Sequence, residues 1–136
     1  MKKILIIILL FSIALISYSE VSNLEKAIEY EKAGDYKKSE KYFKIAADKD
    51  EELAAILKMS AILDKQGKTE ESKKYKEKSL EVMLGMQFTE AGNKKYLEGD
   101  YEGAENFYKQ AVVLKNKNAM FNLGLLYLLQ EKIKMR

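Results

Sequence analysis

Few side chains in this sequence could do covalent or acid–base chemistry. There is no histidine and no cysteine. A thiol nucleophile, a disulfide and a thiolate metal ligand are therefore excluded, and the side chain most often used as a general base near neutral pH is missing. The nearest approach to a catalytic constellation is two pairs of adjacent carboxylates, Glu51–Glu52 and Glu70–Glu71. Consecutive residues on a helix point about 100° apart, so the members of such a pair do not converge on one substrate. Both pairs fall where predicted helices begin, and negative charge there meets the positive end of the helix dipole. No glycine-rich phosphate loop and no metal-ligand spacing is present. The pattern points away from an enzyme and implies no cofactor and no metal.

Charge narrows the partners. Lys37, Lys41 and Lys44 share one predicted helix, and Lys73, Lys74, Lys76 and Lys78 crowd a later one. Asp35, Glu40, Asp48, Glu70, Glu71, Glu77 and Glu81 are interspersed with them, which marks a solvated outer face. The alternative for these lysines is a weak contact with anionic lipid headgroups or cell-wall polymer. The whole chain has 24 basic and 21 acidic residues. Without Lys2 and Lys3 the balance is 22 against 21, a net charge of +1. Nucleic acid needs a surplus of positive charge on one face, so it is not an expected partner.

Residues 1–19 form a unit of their own. Lys2 and Lys3 precede an apolar run over 4–16, and Ser17-Tyr18-Ser19 stands before the acidic Glu20. A basic start, a short apolar stretch and a small-x-small end are the parts of a secretory signal peptide. The run is shorter than the roughly 20 residues that span a bilayer. Cleavage after Ser19 and export to a bacterial periplasm or cell envelope, or secretion, are expected. The alternative is an uncleaved amino-terminal anchor, the one case in which the membrane is a partner. With no cysteine to carry a lipid, a lipid anchor is excluded.

The elements that position the remaining side chains repeat. Gly34-Asp35-Tyr36 returns as Gly99-Asp100-Tyr101, with Gly67-Lys68-Thr69 between them, at intervals of 33 residues (34 to 67) and 32 residues (67 to 99). A fixed period in this range signals one helix-turn-helix unit, repeated and stacked. Ser22 and Glu25 form a capping box, each satisfying a free backbone N–H at the start of a helix running to about Ala33. Gly34 ends that helix and Asp35 caps the next, which carries Ser39, Tyr42, Phe43 and Ala46. A second unit has predicted helices over 51–65, capped by Asp50, and 69–82, with Ser72, Tyr75 and Ser79 at the matching places. A third spans 85–97 and 101–114, with Ala104, Phe107, Tyr108 and Ala111. The absence of proline removes the strongest helix breaker. Small residues let paired helices approach closely while aromatics fill the gaps, so these positions are expected to pack rather than to bind.

These residues resemble the tetratricopeptide repeat and, at Leu123-Gly124-x-x-Tyr127, its Sel1-like relative. Phe88, Gly92, Gly99-Asp100-Tyr101, Ala104, Tyr108 and Ala111 match closely, as do Met120, Leu123, Gly124 and Tyr127, and Tyr30, Gly34-Asp35-Tyr36, Phe43 and Ala46. Ser39, Ser72 and Ser79 depart from the usual alanines, and Lys76 stands where an aromatic is expected. The spacing is closer to the tetratricopeptide period. The resemblance implies an all-α, antiparallel helix-pair solenoid of about three and a half repeats after the signal segment, over about 20–50, 51–84, 85–116 and a partial 117–136. It also implies a non-catalytic protein–protein scaffold that holds peptide or helix segments in a groove lined by the first helix of each repeat. The repeat alignment places Leu57, Lys65, Thr89, Asn93, Tyr96, Phe121 and Leu125 on that side.

The carboxy-terminal helix is the other feature. Met120, Phe121, Leu123, Leu125, Leu126, Tyr127, Leu128 and Leu129 make it apolar almost all round. Such a helix expects cover on more than one side. Self-association through it, cover by a different partner, and truncation of a longer array are the three expectations.

Overall fold

The computed structural model describes residues 20–136. The expected export segment, 1–19, lies outside the described residues. Among these residues the chain forms six α-helices, α1 (Asn23–Lys32), α2 (Tyr36–Asp48), α3 (Leu53–Lys65), α4 (Thr69–Leu97), α5 (Tyr101–Val113) and α6 (Lys117–Lys134). Every substantial helix–helix contact joins neighbours in the chain. The described part is therefore all-helical, each helix packed on its neighbours in the chain.

Local chemistry sets most of the ends. Ser22 Oγ accepts from Glu25 N–H, and the Glu25 carboxylate accepts from Ser22 N–H. Asp35 and Asp100 accept from the N–H of Lys38 and Gly103, each such cap contributing about 1 kcal/mol. The three glycine turns are geometrically the same. Gly34 and Gly99 sit at φ of 80° and 79°, and Gly67 at 72°, a region in which a Cβ is strained. The N–H of Gly34 and of Asp35 donate to the carbonyls of Glu31 and Tyr30, and the N–H of Gly99 and of Asp100 to those of Tyr96 and Lys95. This paired pattern satisfies the last free carbonyls of each helix.

Two expectations fail. The start of α3 is not capped by Asp50, whose carboxylate instead accepts from Asn23 Nδ2 at 2.9 Å. Glu52 is the N-cap without a side-chain bond, and Glu51 takes a left-handed φ of 54°. The predicted helices over 69–82 and 85–97 are also one uninterrupted helix of 29 residues, so the expected repeat boundary at 84/85 lies inside α4. Gly85 there costs roughly 1 kcal/mol relative to alanine, far less than a proline would. Its neighbours Leu84, Met86 and Gln87 are good helix formers. The missing side chain serves packing instead. A Cβ at Gly85 would meet Asn116 Cβ at 3.4 Å and Leu114 Cβ at 3.5 Å, so the α5–α6 turn rests directly on this helix.

The long α4 joins two cores. Ala27, Phe43, Ala46, Ala47, Ala55, Ile56, Met59 and Leu63 fill the first, with Tyr75 and Val82 of α4 packed against it. Ala104, Tyr108, Ala111, Ala119 and Leu126 fill the second, with Phe88 of α4 against it. Each large apolar side chain so buried contributes about 1.5–3 kcal/mol. Ser39, Ser72 and Ser79 each make a hydrogen bond. Ser39 Oγ donates to the carbonyl of Ala27 at 2.9 Å and Ser72 Oγ to that of Ser60 at 3.0 Å, each tying a second helix to its first. Ser79 Oγ donates to the Lys76 carbonyl within α4.

Candidate functional site

The second core has an open side. Where the carboxy-terminal half of α4 meets α5 and α6, a cavity of about 370 Å³ is lined by Asn93, Tyr96, Leu97, Tyr108, Asn122 and Leu125. Tyr108 is placed by its ring, which lies over Gly92 so closely that a Cβ there would be 2.5 Å from Tyr108 Cε1. Tyr108 is only 3% exposed, so its hydroxyl needs a partner inside the fold. It donates to Asn93 Oδ1 at 2.7 Å. Burial, with the Tyr96 phenol adding to it, pushes the Tyr108 phenol above its ordinary range and keeps it a neutral donor.

Asn122 Nδ2 donates to the same Asn93 oxygen at 2.9 Å. Both lone pairs of that oxygen are thereby used. Among the described residues, Asn93 Nδ2 and Asn122 Oδ1 have no hydrogen-bond partner. The site thus pairs a donor group and an acceptor with apolar walls. Tyr96 forms one wall, held against Tyr101 with ring centroids 5.5 Å apart. Leu97 and the half-exposed Leu125 complete it.

Of the residues placed in the groove from the repeat alignment, Asn93, Tyr96 and Leu125 come together here. Phe121 is exposed on α6 beside the cavity without lining it. Leu57 and Lys65 sit on α3, away from it. Leu57 is half-exposed, and Lys65 borders a separate hollow of about 320 Å³ with Glu31, Lys58 and Gln66. Thr89 lies apart from these. It is buried, and its hydroxyl donates to the Gly85 carbonyl at 2.8 Å, so it faces its own helix rather than a ligand. Sequence reasoning missed Leu97 and Asn122 and gave Tyr108 only a packing role. Asn122 had a legible signal, being the one amide in the apolar run over 119–129.

A second cluster ties α2 to α4 around a hollow of about 460 Å³. Tyr75 OH donates to Asp48 Oδ1 at 2.8 Å and Lys44 Nζ donates to Asp48 Oδ2 at 2.8 Å. Lys78 Nζ donates to the Ala47 carbonyl at 2.7 Å, at the carboxy end of α2. Burial alone would raise Asp48, but the hydrogen bonds from Lys44 and Tyr75 outweigh it and hold the carboxyl below its usual range. The Asp48 and Tyr75 bonds push Lys44 up, and burial followed by the Asp48 bond pushes Tyr75 up. Lys76 pairs with Asp64 at 2.8 Å. Part of the lysine-rich face is therefore engaged in holding helices together.

Among the described residues, no group of three or more acidic side chains could hold a metal ion, and no helix is long and apolar enough to cross a membrane. No protein-family model matches the chain, and a search of curated proteins finds no match.

Proposed function

We propose that the chain is a non-catalytic binding scaffold, a tetratricopeptide-like helix-pair array exported to a bacterial cell envelope, which holds a peptide segment at the α4–α6 cavity. The observation that carries this reading is the amide pair. Among the described residues, the Asn93 N–H groups and the Asn122 carbonyl oxygen are unpaired beside walls of tyrosine and leucine. An extended peptide presents backbone C=O and N–H groups that such amides can pair with, and apolar side chains that such walls can cover. The recurring glycine turns and the serine ties at equivalent places support the repeat reading.

Peptides selected from a random display library on the purified protein test it. Asn93→Ala is expected to weaken the selected peptides about tenfold or more, about 1.4 kcal/mol. Leu125→Glu should act likewise by placing a charge on the wall. Unchanged affinity in both variants would remove the cavity from the binding function. Export rests on residues 1–19 and is tested by the mass of the mature amino terminus. A start at Glu20 supports export, whereas retention of residues 1–19 in a membrane fraction favours an anchored structural protein.

A further inference from the structure

We propose that α6 carries a docking face for a separate amphipathic helix, paired antiparallel with it, whose aromatic ring sits over Gly124 and whose acidic first turn lies beside Lys132 and Lys134. The template for this contact is inside the molecule. Ala27, Ser60, Gly92 and Gly124 follow one another at 33, 32 and 32 residues, each on the first helix of a unit. The first three are buried beneath the helix that follows, while Gly124 is exposed and an added Cβ there would meet nothing within 4 Å.

The third unit shows what covers such a face. Phe88, Gly92 and Tyr96 form a stripe at four-residue steps along α4. Phe107 of α5 stacks on Phe88 with centroids 6.4 Å apart, Tyr108 lies on Gly92, and Tyr101 leans on Tyr96. Met120, Gly124 and Leu128 are the same stripe on α6, 32 residues later. Met120 is 45% and Leu128 65% exposed. At about 100° per residue this stripe centres roughly 120° around the helix from Asn122 and Leu125, so it is a different face from the cavity. It is also separate from Ala119 and Leu126, which are buried in the second core.

Charge defines the occupant further. The last turn of α4 carries Lys94 and Lys95, and the α5 end packed beside it has Asp100 as cap and Glu102 in its first turn. Lys95 Nζ reaches Asp100 Oδ2 at 3.6 Å. The last turn of α6 is likewise basic, with Lys132 and Lys134. A second copy of this chain is a poor match. Its helices with a small–aromatic–small stripe, Ser39–Phe43–Ala46 and Ala104–Tyr108–Ala111, are buried in its own hairpins. Pairing α6 with α6 would set basic ends against first turns that contain no acidic residue. The fitting partner is a helix with an acidic first turn and a small-x-x-x-aromatic-x-x-small stripe.

A fluorescent peptide with the sequence of residues 100–116, titrated into the full-length protein and read by anisotropy, is the test. Saturable binding is expected. Gly124→Leu should weaken it about tenfold or more while leaving the melting temperature unchanged or raised, because the new side chain enters open space. The Tyr108→Ala change within the peptide should weaken it similarly. Asn93→Ala in the protein should leave it intact, which separates this face from the cavity. No saturable binding, or binding undiminished by Gly124→Leu, overturns the proposal. So does a dimer in sedimentation velocity that Gly124→Leu dissolves, since that assigns the face to a second copy.

Discussion

The hairpins before and after the middle of α4 follow one plan but are closed by different chemistry. In the amino-terminal half, Ala27 and Ser60 lie against Ser39 and Ser72, and each serine hydroxyl bonds the facing carbonyl. Its core is aliphatic apart from Phe43, and its tyrosines stay at the edge, where Tyr30 stacks on Tyr42 with centroids 5.5 Å apart and Lys26, Lys38 and Lys41 lie over the rings. In the carboxy-terminal half the equivalent position is Gly92, and a tyrosine ring fills the notch. A hydroxyl tie is complete within its pair. A glycine notch depends on a ring from another helix to fill it, and among the described residues the Gly124 face of α6 is uncovered. The difference separates a half whose helix pairs are closed by hydroxyl ties from one that leaves an apolar face exposed.

Four measurements can break or sharpen this contrast, beginning with the largest effect. Ile56→Ala, at a side chain with no exposure, should cost about 3–4 kcal/mol in chemical denaturation. Hydrogen exchange should show lost protection in α1–α3 and the first half of α4, with α5 and α6 still protected. Equal loss throughout would mean that α4 couples the two cores into one. The next is a pair. Gly92→Ala forces a Cβ into the Tyr108 ring and should cost about 2 kcal/mol. Gly124→Ala, in open space on a helix, should stabilise by about 0.5–1 kcal/mol. Matching losses at both sites would show that the Gly124 face is already covered.

Lys115→Gly should then stabilise by about 1 kcal/mol, because Lys115 holds a left-handed φ of 60° at the α5–α6 turn. Thermal melts would register it, and no gain would mean that the lysine side chain holds the turn. The smallest effect is on pH. Asp48, Asp64 and Glu105 are held below their ordinary values by hydrogen bonds, so the stability they contribute is present above pH 4–5 and fades as pH falls further. Lys44 and Tyr75 are raised, so theirs is present below about pH 10 and fades as pH rises past it. Tyr75→Phe should flatten the alkaline limb of the melting profile. An unchanged limb would show that the Lys44–Asp48–Tyr75 cluster does not tie α2 to α4 in solution.

Much of the helix layout was legible because its signals are local. The Ser22 capping box, the Gly34 and Gly99 ends and the Asp35 and Asp100 caps each act within a few residues. The candidate site was half legible. Asn93, Tyr96 and Leu125 follow from the repeat period, since they share one face of successive first helices. Asn122 and Leu97 do not, because their place depends on how α6 crosses the end of α4. The burial of Thr89 has a related reason. Its hydroxyl turns onto the Gly85 carbonyl, which is in reach only because α4 runs unbroken through Gly85.

Glycine shows where the sequence's authority stops. At 34 and 99 it ends a helix, since a polar residue with capping ability follows and no packed surface opposes the turn. At 85 the same residue type continues one, because helix formers flank it and the Leu114–Asn116 turn presses on the bare backbone. At 51 and 115 the chain turns without any glycine. The sequence alone determined composition, the Ser22, Asp35 and Asp100 caps, the period and the excluded chemistries, all of which depend on residue types or on residues close together in the chain. Tertiary packing decided which boundary became a turn and which glycine was covered, because those outcomes depend on contacts between residues far apart.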